Sequence, residues 1–249
     1  MTPSKTLPTL VLLVASALVL AACGTSGPVA GGQGAGLPSA VPTGTDPSTA
    51  DPTCALVGIA FDDDVTLPVD ATCTFEDVTV DGNVVLSPGA SLEIDGGSVA
   101  GNVLVYTDAT LTARGTAVGG NVQAGRAGAV LVDAATRVDG DVQMEYGRGG
   151  LLVRDAEVGG NVQVDESAGA IGVLGATVGG DVQAKENAGA VEVRATDVGG
   201  NVQLEANRGG VEVFDNVVDG NLQCASNAAP VAGGGNVVGG AKEGQCSGF

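Results

Sequence analysis

Histidine is absent from all 249 residues and cysteine occurs 5 times, so the chemistry open to this chain lies with carboxylates and thiols. Without His, nucleophilic triads and zinc hydrolase motifs in their usual forms are excluded. Asp165 beside Glu166, and Glu145 one repeat before Asp165, are pairs that could do acid/base work on a glycosidic bond, with Tyr106, Tyr146, Arg126 and Arg148 as neighbours. Sugar sites usually add aromatic platforms, however, and aromatic residues are 2% of the chain, so a solvated acidic loop is the simpler reading and no catalytic residue is assigned. Asp62-Asp63-Asp64, Asp139 and Asp219 offer hard oxygen ligands, but they match neither the EF-hand loop nor the nonapeptide calcium repeat; no metal is assigned. No cofactor is assigned either, because the recurring GGN is never followed by a helix that could complete a phosphate loop.

The cysteines divide by position. Lys5 precedes an apolar run from Leu10 to Leu20, closed by Leu20-Ala21-Ala22-Cys23; the run is too short and too abruptly ended for a membrane span and reads as an export signal over residues 1–22. The four residues LAAC resemble the lipobox of bacterial lipoproteins. That resemblance implies diacylglyceryl transfer to Cys23, cleavage before it and acylation of the new amino terminus, an anchor that is stable without a transmembrane helix. It also implies an exported protein held on the bacterial cell envelope, at the outer membrane or the outer face of the plasma membrane. Residues 23–53 are Gly, Pro, Ser, Thr and Ala with scattered Val, the composition of a disordered tether. As a random coil of about 30 residues it would reach roughly 30 Å.

Four cysteines remain, an even number in an exported chain, and spacing favours Cys54 with Cys73 and Cys224 with Cys246. Zinc is the weaker alternative, with no CxxC and the two pairs at opposite ends of the chain. The net charge of −19 opposes nucleic acid and anionic membrane surfaces and favours a soluble monomer. It leaves cations and basic partners open.

The element that must position all of these is a repeat. The phrase VGGNVQ at 118–123 returns at 158–163 and 198–203, and aligned starts fall at Val80, Val99, Val118, Val138, Val158, Val178, Val198, Val218 and Val238. The step is 19 residues twice and then 20, a period that points to a solenoid. Each unit holds short alternating segments such as Val142-Gln143-Met144-Glu145 and Val191-Glu192-Val193, and a shorter pair such as Ala176 and Val178 before the glycines. Three strands and three corners in about 20 residues predict an all-β, single-stranded parallel β-helix of triangular section over residues 54–249, taken as right-handed by analogy alone. Inward columns are Val122, Val142, Val162, Val182, Val202 and Leu222 on one face, and Val130, Leu151, Ile171, Val191 and Val211 on another.

Glycine pairs such as Gly119-Gly120 and Gly159-Gly160 are expected at corners that combine positive φ with close approach between coils. Asn121, Asp141, Asn161, Asp181, Asn201 and Asn221 follow them as one ladder, its alternation keeping like charges off adjacent coils. Gln123, Gln143, Gln163, Gln183, Gln203 and Gln223 form an outward ladder of amides bonded along the axis. Counting back from Leu92 by one and two coils lands on Cys73 and Cys54, so that pair shares a column; Cys224 takes the column of Ala184 and Leu204. The bridges staple the two ends, and Phe61, Phe75 and Phe249 cap the apolar axis.

The array from Val80 to Cys246 resembles uncharacterised bacterial exported proteins with GNVQ-type repeats and, more remotely, the β-helices of bactofilins. Only architecture is implied by that resemblance. The expected function is a non-catalytic, membrane-anchored surface lipoprotein acting as rigid spacer, envelope scaffold or adhesive module, with an envelope glycan or protein as partner. The alternative is a carbohydrate-active β-helix, binding or cleaving polysaccharide, with or without the help of calcium.

Overall fold

The computed structural model describes residues 53–228 and 230–249. Among them there is no helix, and therefore none long and apolar enough to cross a membrane. The chain winds through strands Thr53–Val57, Ala60–Phe61 and Val65–Leu67, repeats that triplet, and ends in Val231–Gly234, Val237–Val238 and Lys242–Gly244. Every strand pairs in parallel with the strand three further on, which gives three 10-stranded sheets and a triangular β-solenoid. The expected architecture is the observed one.

The register is set by inward aliphatic side chains. Val122 pairs with Val142, Val142 with Val162, Val162 with Val182 and Val182 with Val202, and all five are at most 2% exposed. Leu111, Val130, Leu151, Ile171, Val191 and Val211 form the corresponding file of the long-strand sheet. Each buried Val or Leu contributes about 1.5–3 kcal/mol, but only when the next coil covers it, so a coil on its own cannot repay its ordering entropy.

The first 20-residue step has a visible location, whereas from the next coil onward the extra residue lies between Glu145 and Leu151, one more than between Gly125 and Val130. In the coil of Val130, Ala134 and Ala135 both adopt left-handed backbone, with φ of 51° and 62°, where neighbouring coils turn on one such residue. Asp133 is buried there, its carboxylate gripped by Arg154 through Nε at 3.0 Å and Nη2 at 2.5 Å. This two-pronged bond holds the Asp133 carboxyl below the usual carboxylate range.

The glycine corners require one correction. Gly119, Gly120, Gly159 and Gly160 do not have positive φ; the left-handed positions belong instead to residues such as Asp77, Arg126, Tyr146, Glu166 and Glu186. Close approach selects glycine at the second position of each pair, where a Cβ on Gly120 would lie 2.6 Å from Asn102 Oδ1 and 2.7 Å from the Gly101 carbonyl oxygen, while the first position also takes Ala100, Asp139 and Asp219.

Both ends are built differently from the middle. Cys54 and Cys73 are register partners with Cα atoms 4.5 Å apart, and Cys224 bridges to Cys246 across 5.2 Å. At the last coil the aliphatic file ends in a charge: Lys242 is paired with Leu222, and its Nζ donates to the Asn236 carbonyl (2.9 Å) and to the Phe249 carbonyl. Phe249 packs over Gly233 and, with Phe61, lies half-buried against the core, whereas Phe75 is wholly inside it.

Gly120→Ala is expected to destabilise the fold by about 1–3 kcal/mol, the usual cost of overpacking. Gly210→Ala, where an added Cβ meets nothing within 4 Å, should change stability by no more than about 0.5 kcal/mol. Urea denaturation of the two variants beside the parent chain checks this.

Candidate functional site

The Asn/Asp column is a continuous hydrogen-bonded spine, and it is longer than its sequence motif. It starts at Asp64 and runs through Asn83 and Asn102 before reaching Asn121, Asp141, Asn161, Asp181, Asn201 and Asn221. At each step the backbone N–H of the later coil donates to Oδ1 of the earlier one, at 2.6–2.9 Å. Where the later residue is Asn, its Nδ2 donates to the same oxygen, as Asn161 does to Asp141 at 3.0 Å. An Asp can accept both bonds but cannot supply the second, so each Asp of the spine is followed by an Asn, whereas Asn also follows Asn at 83, 102 and 121 and at 201 and 221. The spine stops at Ala241, whose N–H donates to Asn221 Oδ1 with no side-chain oxygen to pass on. Asp64 is thus committed to the fold rather than free to ligate a cation.

The glutamine file is less continuous than expected. Gln143 donates to Gln163 at 2.8 Å, Gln203 to Gln223 at 3.0 Å, and Gln223 to Glu243 at 2.8 Å. Gln183 instead turns sideways to Asp181 Oδ2 at 3.3 Å, and Gln123 takes no part in these bonds. An outward amide with solvent available is under no obligation to bond along the axis.

Two further ladders lie inside the coil, and sequence reasoning missed them. Asn187, Asn207 and Asn227, at most 6% exposed, stack beneath Ser167 and above Gln245; Asn187 Nδ2 also reaches the Val164 carbonyl at 2.9 Å. Asn216 and Asn236 do the same below Thr196. Their polarity is opposite to that of the outer spine, since the backbone N–H of the earlier coil donates to the later side chain. Among the described residues no buried side-chain nitrogen or oxygen lacks a partner. The signal was the recurrence of Asn187, Asn207 and Asn227 at 20-residue intervals, which composition alone presents as loop residues.

The suggested acid/base residues do come together. Glu145, Asp165 and Lys185 are successive register partners, and with Tyr146, Glu166 and Glu186 they line a shallow depression of about 170 Å3. Burial, and then the neighbouring Glu145, push the Asp165 carboxyl up, with Lys185 opposing. The negative charge of neighbouring Glu166 pushes the Tyr146 phenol up. Arg126 lies over the Tyr146 ring, 6.0 Å from its centroid. Arg148, by contrast, is bound to Asp108 at 3.0 Å. Crowded carboxylates of this kind can attract a cation, but they face solvent.

The proposed cation ligands do not converge. Asp139 accepts from Arg137 Nε at 2.7 Å, and among the described residues no three acidic or thiol groups share a metal-binding arrangement. Cys23 and the export signal lie outside the described residues. The two disulfides fit a chain that matures in an oxidising, exported compartment. No family model, curated protein or solved structure matches this chain.

Two predictions follow from these bonds. Asn207→Ala should cost about 1–3 kcal/mol, because it strands the Asn187 amide and backbone N–H in a dry interior, and thermal unfolding reads the loss. A raised carboxyl makes the ionised form of Asp165 a burden on the fold, so its protonation stabilises and that gain disappears as pH rises through the folded value. Asp165→Asn should therefore be more stable than the parent at pH 7 and converge with it below the ordinary carboxyl value of 3.8, as measured by melting across a pH series.

Proposed function

We propose that this chain is a non-catalytic, lipid-anchored envelope protein whose β-helix serves as a rigid acidic spacer, scaffold or adhesive module. The observation that carries the reading is the unbroken register of ten coils with one disulfide joining the first two and another joining the last two. Nine steps of about 4.8 Å make a stiff body of about 43 Å. Its stiffness is the useful property: side-chain ladders and backbone sheets bind each coil to both neighbours, so the far end is held at a defined distance from the near one. LAAC at 20–23 supports attachment through Cys23, and the composition of residues 24–52 supports a tether between anchor and rod. The charge of −19 supports solubility among anionic envelope polymers and directs any partner toward positive charge.

A second reading, a carbohydrate-active β-helix, draws on the depression at Glu145, Asp165 and Glu166, where one carboxyl is raised beside others.

The anchor is tested by expression in a bacterial host with a labelled fatty acid. The parent chain should take up label and partition into detergent, and Cys23→Ala should lose both while keeping its melting temperature. Label on the Cys23→Ala chain, or none on the parent, would overturn the lipid anchor.

A further inference from the structure

The chain has two tyrosines and no tryptophan, and both tyrosines are about half exposed on the same strip of the rod. Val105 pairs with Ala124, so the next residue along, Tyr106, stands over Gly125, and Gly125 pairs with Glu145, the residue before Tyr146. Tyr106 and Tyr146 are therefore two coils apart, about 9.6 Å along the axis. Between them the outward position of the strand is Gly125, where an added Cβ would meet nothing within 4 Å; the next residue, Arg126, covers one face of the Tyr146 ring, 6.0 Å from its centroid, and leaves the other for a ligand. Gln123, two residues before Gly125 on the same outward face, offers its amide beside it.

We propose that this strip binds a linear glycan carrying protonated amino groups, lying along the axis with sugar rings against Tyr106 and Tyr146 and the chain crossing the Gly125 notch. The period favours a glycan, because two coils are close to the length of an extended disaccharide, so that alternate sugars can meet Tyr106 and Tyr146, which lie one residue out of register with each other. Aromatic rings offer the apolar faces of sugars a platform, and their spacing suits a stiff polymer better than a flexible peptide. Charge selects the amino sugar. Past Tyr146 the glycan would run over the depression of Glu145, Asp165, Glu166 and Glu186, where Lys185 is a single cation among four carboxylates and a bound ammonium offsets the crowding that remains. An anionic glycan would meet repulsion there. The proposal rests on the reading of the rod as a binding module and is independent of attachment through Cys23.

The test uses the full chain in detergent micelles at a pH where glucosamine is protonated. Because all tyrosine emission comes from Tyr106 and Tyr146, it reports on this strip alone. A β-1,4-linked glucosamine hexamer should change that emission saturably, and calorimetry should give the affinity. Tyr106→Ala and Tyr146→Ala should each weaken binding about fivefold to tenfold, and Gly125→Gln, which fills the notch, at least as much. The N-acetylated hexamer should bind at least about tenfold more weakly, as expected when the ammonium groups are removed. Melting curves confirm that each variant is folded, the Cβ added by Gly125→Gln meeting nothing within 4 Å. Equal binding by hexalysine, equal binding by the acetylated hexamer, or affinity unmoved in all three folded variants would overturn the proposal. None of these outcomes bears on lipid labelling at Cys23, so failure of the strip and failure of the anchor are separable.

Discussion

Apart from a few tight-turn bonds such as Ala90 N–H to the Ser87 carbonyl, a peptide group in this rod finds its partners not in its own coil but in the coils on either side. That single constraint accounts for the rest. Coils must be of nearly equal length, side chains of one kind must fall above one another, and anything with a Cβ is unwelcome where corners touch. The aliphatic files, the Asn/Asp spine and the glycine pairs are three answers to the same demand for register. A polar residue is admitted inside only on the same terms, as Asn187, Asn207 and Asn227 are, each satisfying its neighbour.

The opposed polarity of the ladders adds to this. On the outside, each coil donates to the one before it; inside, each donates to the one after it. A coil that slid or tilted would break bonds of both kinds at once. Even the change of repeat length respects the rule, since the extra residues at Ala134–Ala135 and between Glu145 and Leu151 are absorbed in turns and the file from Val132 to Val153 stays paired.

Most of the architecture was legible because repetition exposes which positions vary together. Val122 and its successors could be assigned to the interior from spacing alone, and Cys54 could be placed over Cys73 by counting coils. Less legible was anything that depends on backbone torsion or on depth. Glycine pairs look alike whether they supply positive φ or clearance, and it took the geometry at Gly120 to separate the two. Asn187 and Asn121 are the same residue at the same period, yet one faces inward and the other lies at the surface. Tyr106 and Tyr146, 40 residues apart in the chain, become neighbours only through the winding. The candidate strip was thus invisible as a motif, although each of its members could be named.

Lys242, at the foot of the aliphatic file, makes the two ends of the rod non-equivalent to its middle. Because the terminal coils carry the bridges and the closing lysine, duplication of an internal 20-residue unit would lengthen the shaft without disturbing either extremity. Each duplication would add one increment of about 4.8 Å. Reach in such a molecule is therefore a heritable quantity that evolution can adjust in whole steps, at little risk to folding.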